Sequence, residues 1–203
     1  MTAEPGLRER KKQATRATLS HTAWALLLEK GLDAVTPEAV AEAAGVSPRT
    51  FRNYFASREE AIVEGVVHRA VSLTEVLRER PAGEPVWDTL MEVLPDLLPM
   101  IVGDRDNVRL LQRVASDHPA VMAQHHVAFD GIQRQLAEVI AERTGTDVER
   151  DLAPRLLTAA AVAAVRTAVE VWAAGTDDTT LPELARESLA QVRAGIPLGN
   201  APR

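Results

Sequence analysis

The sequence predicts an all-α protein with a three-helix head at the N-terminus and a six-helix body. Hydrophobic side chains make up 46% of the 203 residues, whereas aromatic side chains make up only 3%. A chain rich in Ala, Leu and Val with so few aromatic residues favours helices over sheets. Apolar residues also recur at helical spacing between capping residues and glycine stops. We therefore expect two domains, a head over residues 1–60 and a body over residues 61–203.

A basic segment distinguishes the head from the rest of the chain. The first predicted helix runs from about Leu7 to Lys30 and ends at Gly31. Residues 1–60 carry 9 basic and 8 acidic side chains, so the net charge of −6 comes from the body. The front of the first helix concentrates five cations: Arg8, Arg10, Lys11, Lys12 and Arg16. Such a segment either contacts phosphates or a minor groove, or is a solvated, frayed terminus.

The stretch from Thr36 to Arg58 is the most informative part of the chain, with the sequence TPEAVAEAAGVSPRTFRNYFASR. Thr36 and Ser47 are each followed by proline, which predicts an N-cap and the first residue of a helix at both places. Gly45 predicts the end of the earlier helix, because glycine adopts a left-handed backbone without strain. Two short helices joined by a tight turn form a helix-turn-helix.

The second short helix has two chemically different faces. Phe51 and Phe55 lie four residues apart, so they share one face, which we expect to point inward. The opposite face and its flanks carry polar side chains: Arg49, Thr50, Arg52 and Asn53. In a major groove, Arg reads guanine, Asn reads adenine, and Thr contacts a phosphate or a thymine methyl. The alternative is a helix-turn-helix used only for packing, which would not need two arginines and an asparagine outside.

This segment resembles the DNA-binding signature of TetR-type one-component regulators. The resemblance covers about the first 65 residues and rests on GVSPRTFRNYF followed by ASREEAI. It departs from the family pattern at Arg52, which replaces an aromatic residue, and at Arg58, which replaces a lysine. The resemblance implies a double-stranded operator DNA as partner. The expected contacts are Arg49, Thr50 and Asn53 to bases, Thr36, Ser47, Tyr54 and Arg58 to phosphates, and Arg16, Pro48 and Arg52 as further DNA-binding residues.

Six further helices are predicted for the body from caps, glycines and prolines. Ser57 with Glu60 and Thr180 with Glu183 have the spacing of capping boxes. Residues 81–85 form a linker-like break. The second of these helices starts at residue 86, and Pro95 or Pro99 should kink or end it. The other five are expected at residues 57–80, 104–116, 119–144, 147–175 and 180–195.

The helix predicted after Asp147 has a centre, LLTAAAVAAVRTAVEVWAA, that is small and apolar nearly all round. Such a helix must be covered on several sides, and its small side chains allow another helix to approach closely. With the last helix it forms either a two-fold interface with a second copy or a core within one subunit. We favour a homodimer, as in TetR-type proteins, because a palindromic operator needs two heads.

Residues 86–195 carry a second resemblance, to the C-terminal domain of the mycofactocin-regulator type, which implies an acyl-CoA-like ligand. It rests on RDNVRLLQRVASDHPAVMAQHHVAFDGIQRQLAEVIAERTGTD and then RLLTAAAVAAVRTAVEVWAAG. An apolar lining with few polar groups is also what small-molecule sites use. The candidate lining residues are Trp87, Leu90, Leu94, Leu111, Val114, Met122 and Phe129. The same residues at helical spacing describe a plain hydrophobic core equally well.

Arg166 is the eighth candidate for ligand binding, since it is the only charged residue between Arg155 and Glu170. A buried charge needs a partner. Arg166 therefore binds a carboxylate or phosphate of the ligand, or it pairs with Glu170 four residues later. The sequence favours the pair.

The sequence gives little support for a metal site or a catalytic site. His118, His125 and His126 lack a carboxylate at matching spacing, so we expect surface or pocket-rim histidines and no metal. Without a glycine-rich phosphate loop or a nucleophile elbow, we expect neither an enzyme nor a cofactor. The chain has no cysteine, no signal peptide and no long apolar run free of charge. These absences predict a cytoplasmic protein that does not span a membrane.

Together these features predict a ligand-responsive transcriptional regulator. We expect a homodimeric repressor that a small apolar effector releases from a palindromic operator. The alternative is a small-molecule binding or interaction protein whose head does not read specific DNA.

Overall fold

A computed structural model describes residues 6–81 and 83–196. The described residues form helices and no strand, which confirms the all-α prediction. The residues left outside are the first five, the last seven and residue 82 of the predicted linker. The helices are α1 (Leu7–Lys30), α2 (Pro37–Ala43), α3 (Pro48–Tyr54), α4 (Arg58–Glu79), α5 (Val86–Val102), α6 (Arg105–Asp117), α7 (Pro119–Thr144), α8 (Leu152–Ala174) and α9 (Leu181–Arg193), with a 3-10 turn at Leu32–Ala34.

The chain divides into two compact units, which do not coincide with a cut at residue 60. The first unit contains the chain up to His68 together with Gln112–Ala128, and the second contains Arg69–Leu111 together with the chain from Phe129. The association of Gln112–Ala128 with the first unit is a long-range feature that helical spacing does not reveal. A functional boundary near residue 60 stays a prediction.

The caps predicted at Thr36, Ser47 and Thr180 form. Thr36 Oγ1 accepts a hydrogen bond from the Ala39 N–H at 3.1 Å, and Ser47 Oγ accepts one from the Thr50 N–H at 3.1 Å. Gly45, with φ 69°, lies in the left-handed region between α2 and α3. Thr180 forms a capping box at the start of α9. These bonds satisfy N–H groups that a helix start leaves without partners.

Helices α5 and α8 test two of the predicted helix limits. The sequence predicts a kink or an end at Pro95 or Pro99, and helix α5 does not end there but runs through both prolines. The apolar side of α5 is buried along its length. The free energy gained by this burial offsets the cost of the two backbone hydrogen bonds that the prolines cannot donate. Helix α8 starts at Leu152 and not after Asp147. A start at Leu152 leaves Pro154 in the first turn, where proline is tolerated because its missing N–H has no partner there.

The second unit has a core in which α5, α8 and α9 meet. Leu98, Ala168, Leu181 and Ala185 are buried together there. Arg105 and Arg109 of α6 donate to the main-chain oxygens at the end of α8, including Gly175 O at 3.1 Å and 2.7 Å. These bonds fix the end of α8 and the turn that leads into α9, because they satisfy carbonyl groups that a helix end leaves free.

Helix α8 carries an unusually apolar surface. By length and composition alone it is the one described helix that is long and apolar enough to cross a membrane, and 28% of that stretch is buried. Leu152 and Leu156 are 83% and 68% exposed. A helix with this composition that is mostly uncovered needs a partner surface.

Candidate nucleic-acid interface

Two phenylalanines anchor α3, Phe51 on its inner face and Phe55 directly after its last residue. Phe51 and Phe55 are 1% and 2% exposed, and their ring centroids lie 5.6 Å apart. Leu19, Ala23 and Leu27 of α1 are buried in the same unit. The predicted inward face of α3 is thus confirmed as buried, which fixes how α3 is rotated about its axis.

The outer face of α3 presents uncommitted polar groups. Arg49 and Asn53 are exposed, and neither has a hydrogen bond or an ion pair among the described residues. They lie one helical turn apart on the side opposite the phenylalanines. Their guanidinium and amide groups match the bidentate acceptor and donor patterns of guanine and adenine in a major groove. Thr50, Pro48 and Tyr54 are half-buried beside them.

Arg52 is exposed but has a partner. Its Nη2 donates to Glu38 Oε1 of α2 at 2.5 Å, and both side chains are about 60% exposed. An ion pair so open to solvent contributes little to stability and exchanges readily with other partners. Arg52 therefore keeps the freedom to contact a phosphate.

The hydroxyl groups predicted to contact phosphates also serve as helix caps. Thr36 is half-buried at the start of α2, and Ser47 is exposed at the start of α3, where its Oγ lies 2.9 Å from Thr50 Oγ1. A hydroxyl that accepts from a backbone N–H still has its own proton to donate. The caps thus place hydroxyl donors at the N-termini of both helices, where backbone amides also favour an anion.

Arg16 is half-buried in the first unit and is engaged by partners there. Its guanidinium donates to Glu64 and Glu60, donates to the Tyr54 carbonyl at 2.6 Å, and lies 4.5 Å from the centroid of the Phe55 ring. The bonded Glu64 carboxylate and then Glu60 raise the pKa of Arg16 against the effect of burial. This network ties α1 to the end of α3 and to α4. The predicted DNA contact of Arg16 stays a prediction.

Arg58 is also committed within the first unit. Its Nη1 donates to Leu32 O at 3.0 Å and to Val35 O at 3.4 Å, and its Nε donates to Glu59 at 2.9 Å. These bonds hold the connection between α1 and α2 against the start of α4. Sequence reasoning assigned Arg58 to a phosphate, and that contact also stays a prediction.

The seven apolar candidates for ligand binding fall in both units. Leu90, Leu94 and Val114 are buried, whereas Trp87, Leu111, Met122 and Phe129 are half-buried. Val114 and Met122 belong to the first unit and the other five to the second. Burial of this kind suits both a core and a ligand site, so their role stays a prediction.

Arg166 differs from the expectation of a lone buried charge. Its side chain is 65% exposed, and its Nε lies 3.9 Å from Glu170 Oε1. The pairing with Glu170 that the sequence favoured is therefore present. Arg166 escapes burial because it points away from the side of α8 that carries Ala164 and Ala168.

Sequence reasoning missed two polar groups inside the second unit. Thr158 Oγ1 and Arg143 Nε are buried and, like Trp87 Nε1, have no hydrogen-bond partner among the described residues. An unsatisfied buried donor costs free energy, so such groups mark places where a ligand or water supplies an acceptor. No group of acidic or histidine side chains in the described part of the chain has the arrangement of a metal site.

Comparison with known proteins identifies both parts of the chain. Residues 19–64 match the family described as bacterial regulatory proteins, tetR family, and residues 84–197 match the MftR C-terminal domain. The HTH-type transcriptional regulator TcmR of Streptomyces glaucescens is 31% identical over 174 residues, which are 83% of this chain and 77% of that protein.

Solved structures share the fold. FadR of Thermus thermophilus, a TetR-family transcriptional repressor in complex with lauroyl-CoA, superposes with a TM-score of 0.59 at 21% identity, over 93% of this chain and 98% of that one. A TetR-family regulator of Syntrophomonas wolfei superposes with a TM-score of 0.63 at 15% identity, over 93% of this chain and 99% of that one. The matched families, the relative and the helix-turn-helix together show that this chain belongs to the TetR family of DNA-binding transcriptional regulators.

Proposed function

We propose that the protein is a homodimeric repressor that binds a palindromic operator in the cytoplasm and leaves it when an apolar effector binds the body. The observation that carries the DNA-binding part is the outer face of α3, where Arg49 and Asn53 are exposed and without partners. An arginine and an asparagine held this way on a rigid helix suit direct readout of base edges.

Each subunit places α3 in one major groove. Arg49, Thr50 and Asn53 contact bases, while Thr36, Ser47, Tyr54 and the basic front of α1 contact phosphates. Phosphate contacts position the head and base contacts specify the sequence. A protein with two-fold symmetry then reads two half-sites of inverted orientation.

The homodimer forms through α8 and α9. These helices pack together in the second unit, while Leu152, Leu156 and Val171 of α8 are exposed. A second copy covers this face in a four-helix bundle. We assign the apolar surface of α8 to this partner and not to a membrane, because two exposed charged residues, Arg166 and Glu170, lie on it.

The effector is mainly apolar and has a hydrogen-bond acceptor. Apolar side chains of α5 supply the lining, and Trp87 Nε1, Thr158 Oγ1 and Arg143 Nε supply donors that have no partner in the described chain. A fatty acyl thioester has both an apolar tail and acceptor oxygens. FadR of Thermus thermophilus, which shares the fold, was solved with lauroyl-CoA, and this supports the choice. The alternative function is that of a small-molecule binding or interaction protein whose head does not read specific DNA.

Release follows if the effector binds one conformation of the dimer better than the other. We propose that it shifts α4 and so changes the separation of the two heads. The ratio of its affinities for the two conformations sets how far the operator affinity can fall, and the operator lowers the effector affinity by the same factor.

Acyl-CoAs of increasing chain length are expected to release the operator at decreasing concentrations. Each added methylene contributes up to about 0.8 kcal/mol while it enters an apolar site. Fluorescence anisotropy of labelled operator measures the release, with coenzyme A alone as the control. Trp87→Phe keeps the apolar ring but removes the donor, so it should raise the concentration needed for release. Release that does not depend on chain length, or no release by any acyl-CoA, would reject an acyl effector.

A further inference from the structure

The uncovered side of α8 is a continuous stripe of apolar and small side chains. It runs nearly the whole length of the helix and includes, as exposed residues, Leu152, Leu156, Ala159, Ala163, Thr167 and Ala174. The other side of α8, with Thr158, Ala161, Ala164 and Ala168, is buried in the second unit. Side chains at spacings of three, four and seven residues share one face of a helix, so this stripe is a single surface.

Two opposite charges interrupt the stripe. Arg166 and Glu170 lie on it one turn apart and are 65% and 57% exposed. Their closest approach is 3.9 Å, and no hydrogen bond joins them. An exposed ion pair of this kind at i and i+4 is worth only a few tenths of a kcal/mol, so both groups keep their capacity for a closer partner.

The neighbouring helix α9 offers no equally free carboxylate. Glu183 accepts from the Thr180 hydroxyl and backbone N–H in the capping box, and the pKa of Glu183 is lowered, chiefly by that backbone bond. Glu187 accepts from the Gln191 amide at 3.0 Å. Among the carboxylates of α8 and α9, Glu170 is thus the one that has no hydrogen bond to the described residues.

A two-fold axis between two copies of α8 can place the Arg166 side chain of each copy opposite the Glu170 side chain of the other. Two copies of α8 that pack antiparallel over residues 162–174, with the axis at the level of residue 168, bring position 166 of one helix opposite position 170 of the other, and Leu152 and Leu156 then lie beyond the end of the partner's α8. The two positions differ by about 6 Å along the helix, at 1.5 Å per residue. Because symmetry repeats every contact, one register creates two Arg–Glu pairs at once.

We propose that the second copy docks on this stripe with Arg166 of each subunit paired to Glu170 of the partner subunit, and that these two pairs set the register and favour the protein's own copy as partner. The inference rests on the proposed homodimer. A charge enclosed by an apolar interface is costly unless it is paired. In a shifted register, or with a related chain that lacks the pair, Arg166 and Glu170 keep only their 3.9 Å contact within one helix while the apolar interface removes water from both, which penalises the wrong partner.

Charge reversal tests the pairing. Arg166→Glu and Glu170→Arg each create two like-charge contacts in their homodimers, so each should weaken dimerisation by about 100-fold. The double variant with both reversals restores two attractive pairs and should dimerise like the wild type. Sedimentation velocity over a range of concentrations measures the dissociation constants. Arg134→Glu, an exposed site on α7 with the same charge change, is the matched control and should dimerise normally.

A mixture of the two single variants separates pairing between subunits from pairing within α8. In the mixed dimer both contacts between subunits are attractive, while each chain still has like charges at 166 and 170. Native mass spectrometry should therefore find more mixed dimer than random pairing gives. If a reversal prevents folding, Arg166→Gln and Glu170→Gln replace it, and their effects on dimerisation should not add in the double variant.

The outcomes distinguish this inference from the proposed homodimer. A monomeric wild type would reject the homodimer itself. A dimeric wild type whose dissociation constant is unchanged in both single variants would reject the charge pairing and leave the homodimer standing. The pairing is also rejected if the mixed dimer is not enriched, or if Glu187→Arg rescues Arg166→Glu in place of Glu170→Arg.

Discussion

Replacing Arg49 and Asn53 together by alanine is expected to remove specific operator binding while the protein stays folded. Each contact contributes about 1–3 kcal/mol of discrimination, and two contacts to different base pairs add to about 2–6 kcal/mol. Fold stability should not change, because both side chains are exposed and have no partners in the described chain. The measurement is titration of labelled operator and of scrambled DNA of the same length.

The single variants refine this result. Arg49→Ala and Asn53→Ala should each relax the preference at one base pair of every half-site, and Arg49→Lys should retain affinity better than preference, since lysine lacks the bidentate geometry. Binding to scrambled DNA should fall only modestly, because it depends on phosphate contacts. Equal preference for the operator in the double variant and the wild type would contradict this arrangement of α3.

Phe51→Ala is expected to unfold the head. Phe51 is 1% exposed and packs against Phe55, so its removal leaves a cavity at the base of α3. Replacing a buried phenylalanine by alanine costs about 3–5 kcal/mol, a large part of the stability of a small unit. Amide hydrogen exchange of α1, α2 and α3 measures the loss of protection, and operator binding should disappear with it.

Two controls separate this effect from a lost DNA contact. Asn53→Ala, on the outer face of the same helix, should keep the wild-type exchange pattern while its DNA binding falls. Phe51→Leu keeps more of the apolar volume and should lose less stability than Phe51→Ala. Normal protection of α3 in Phe51→Ala would show that the aromatic pair does not anchor this helix.

Local chemistry explains why much of the head follows from sequence. The caps at Thr36 and Ser47 involve bonds across three residues, and the shared face of Phe51 and Phe55 follows from helical geometry. Gly45 marks the turn, since its φ of 69° is unfavourable for other residues. Sequence spacing alone contains this information.

Contacts between distant segments explain what sequence did not predict. The Arg16 guanidinium meets Glu64, 48 residues later, and Arg58 donates to the Leu32 carbonyl, 26 residues earlier. No spacing rule identifies such partners, so both arginines resembled surface cations. The continuity of α5 through Pro95 likewise depends on burial of its apolar side. The unpartnered Thr158 hydroxyl became visible only with the packing around it.

Selection of genomic DNA fragments by the purified protein, followed by sequencing, tests the central claim most directly. The wild type is expected to enrich fragments that share an inverted repeat, because a two-fold dimer presents two copies of α3. The Arg49→Ala/Asn53→Ala variant should fail to enrich that repeat under the same salt conditions. Fragments without a common sequence, retained equally by both proteins, would contradict a sequence-specific regulator and favour a head that does not read specific DNA.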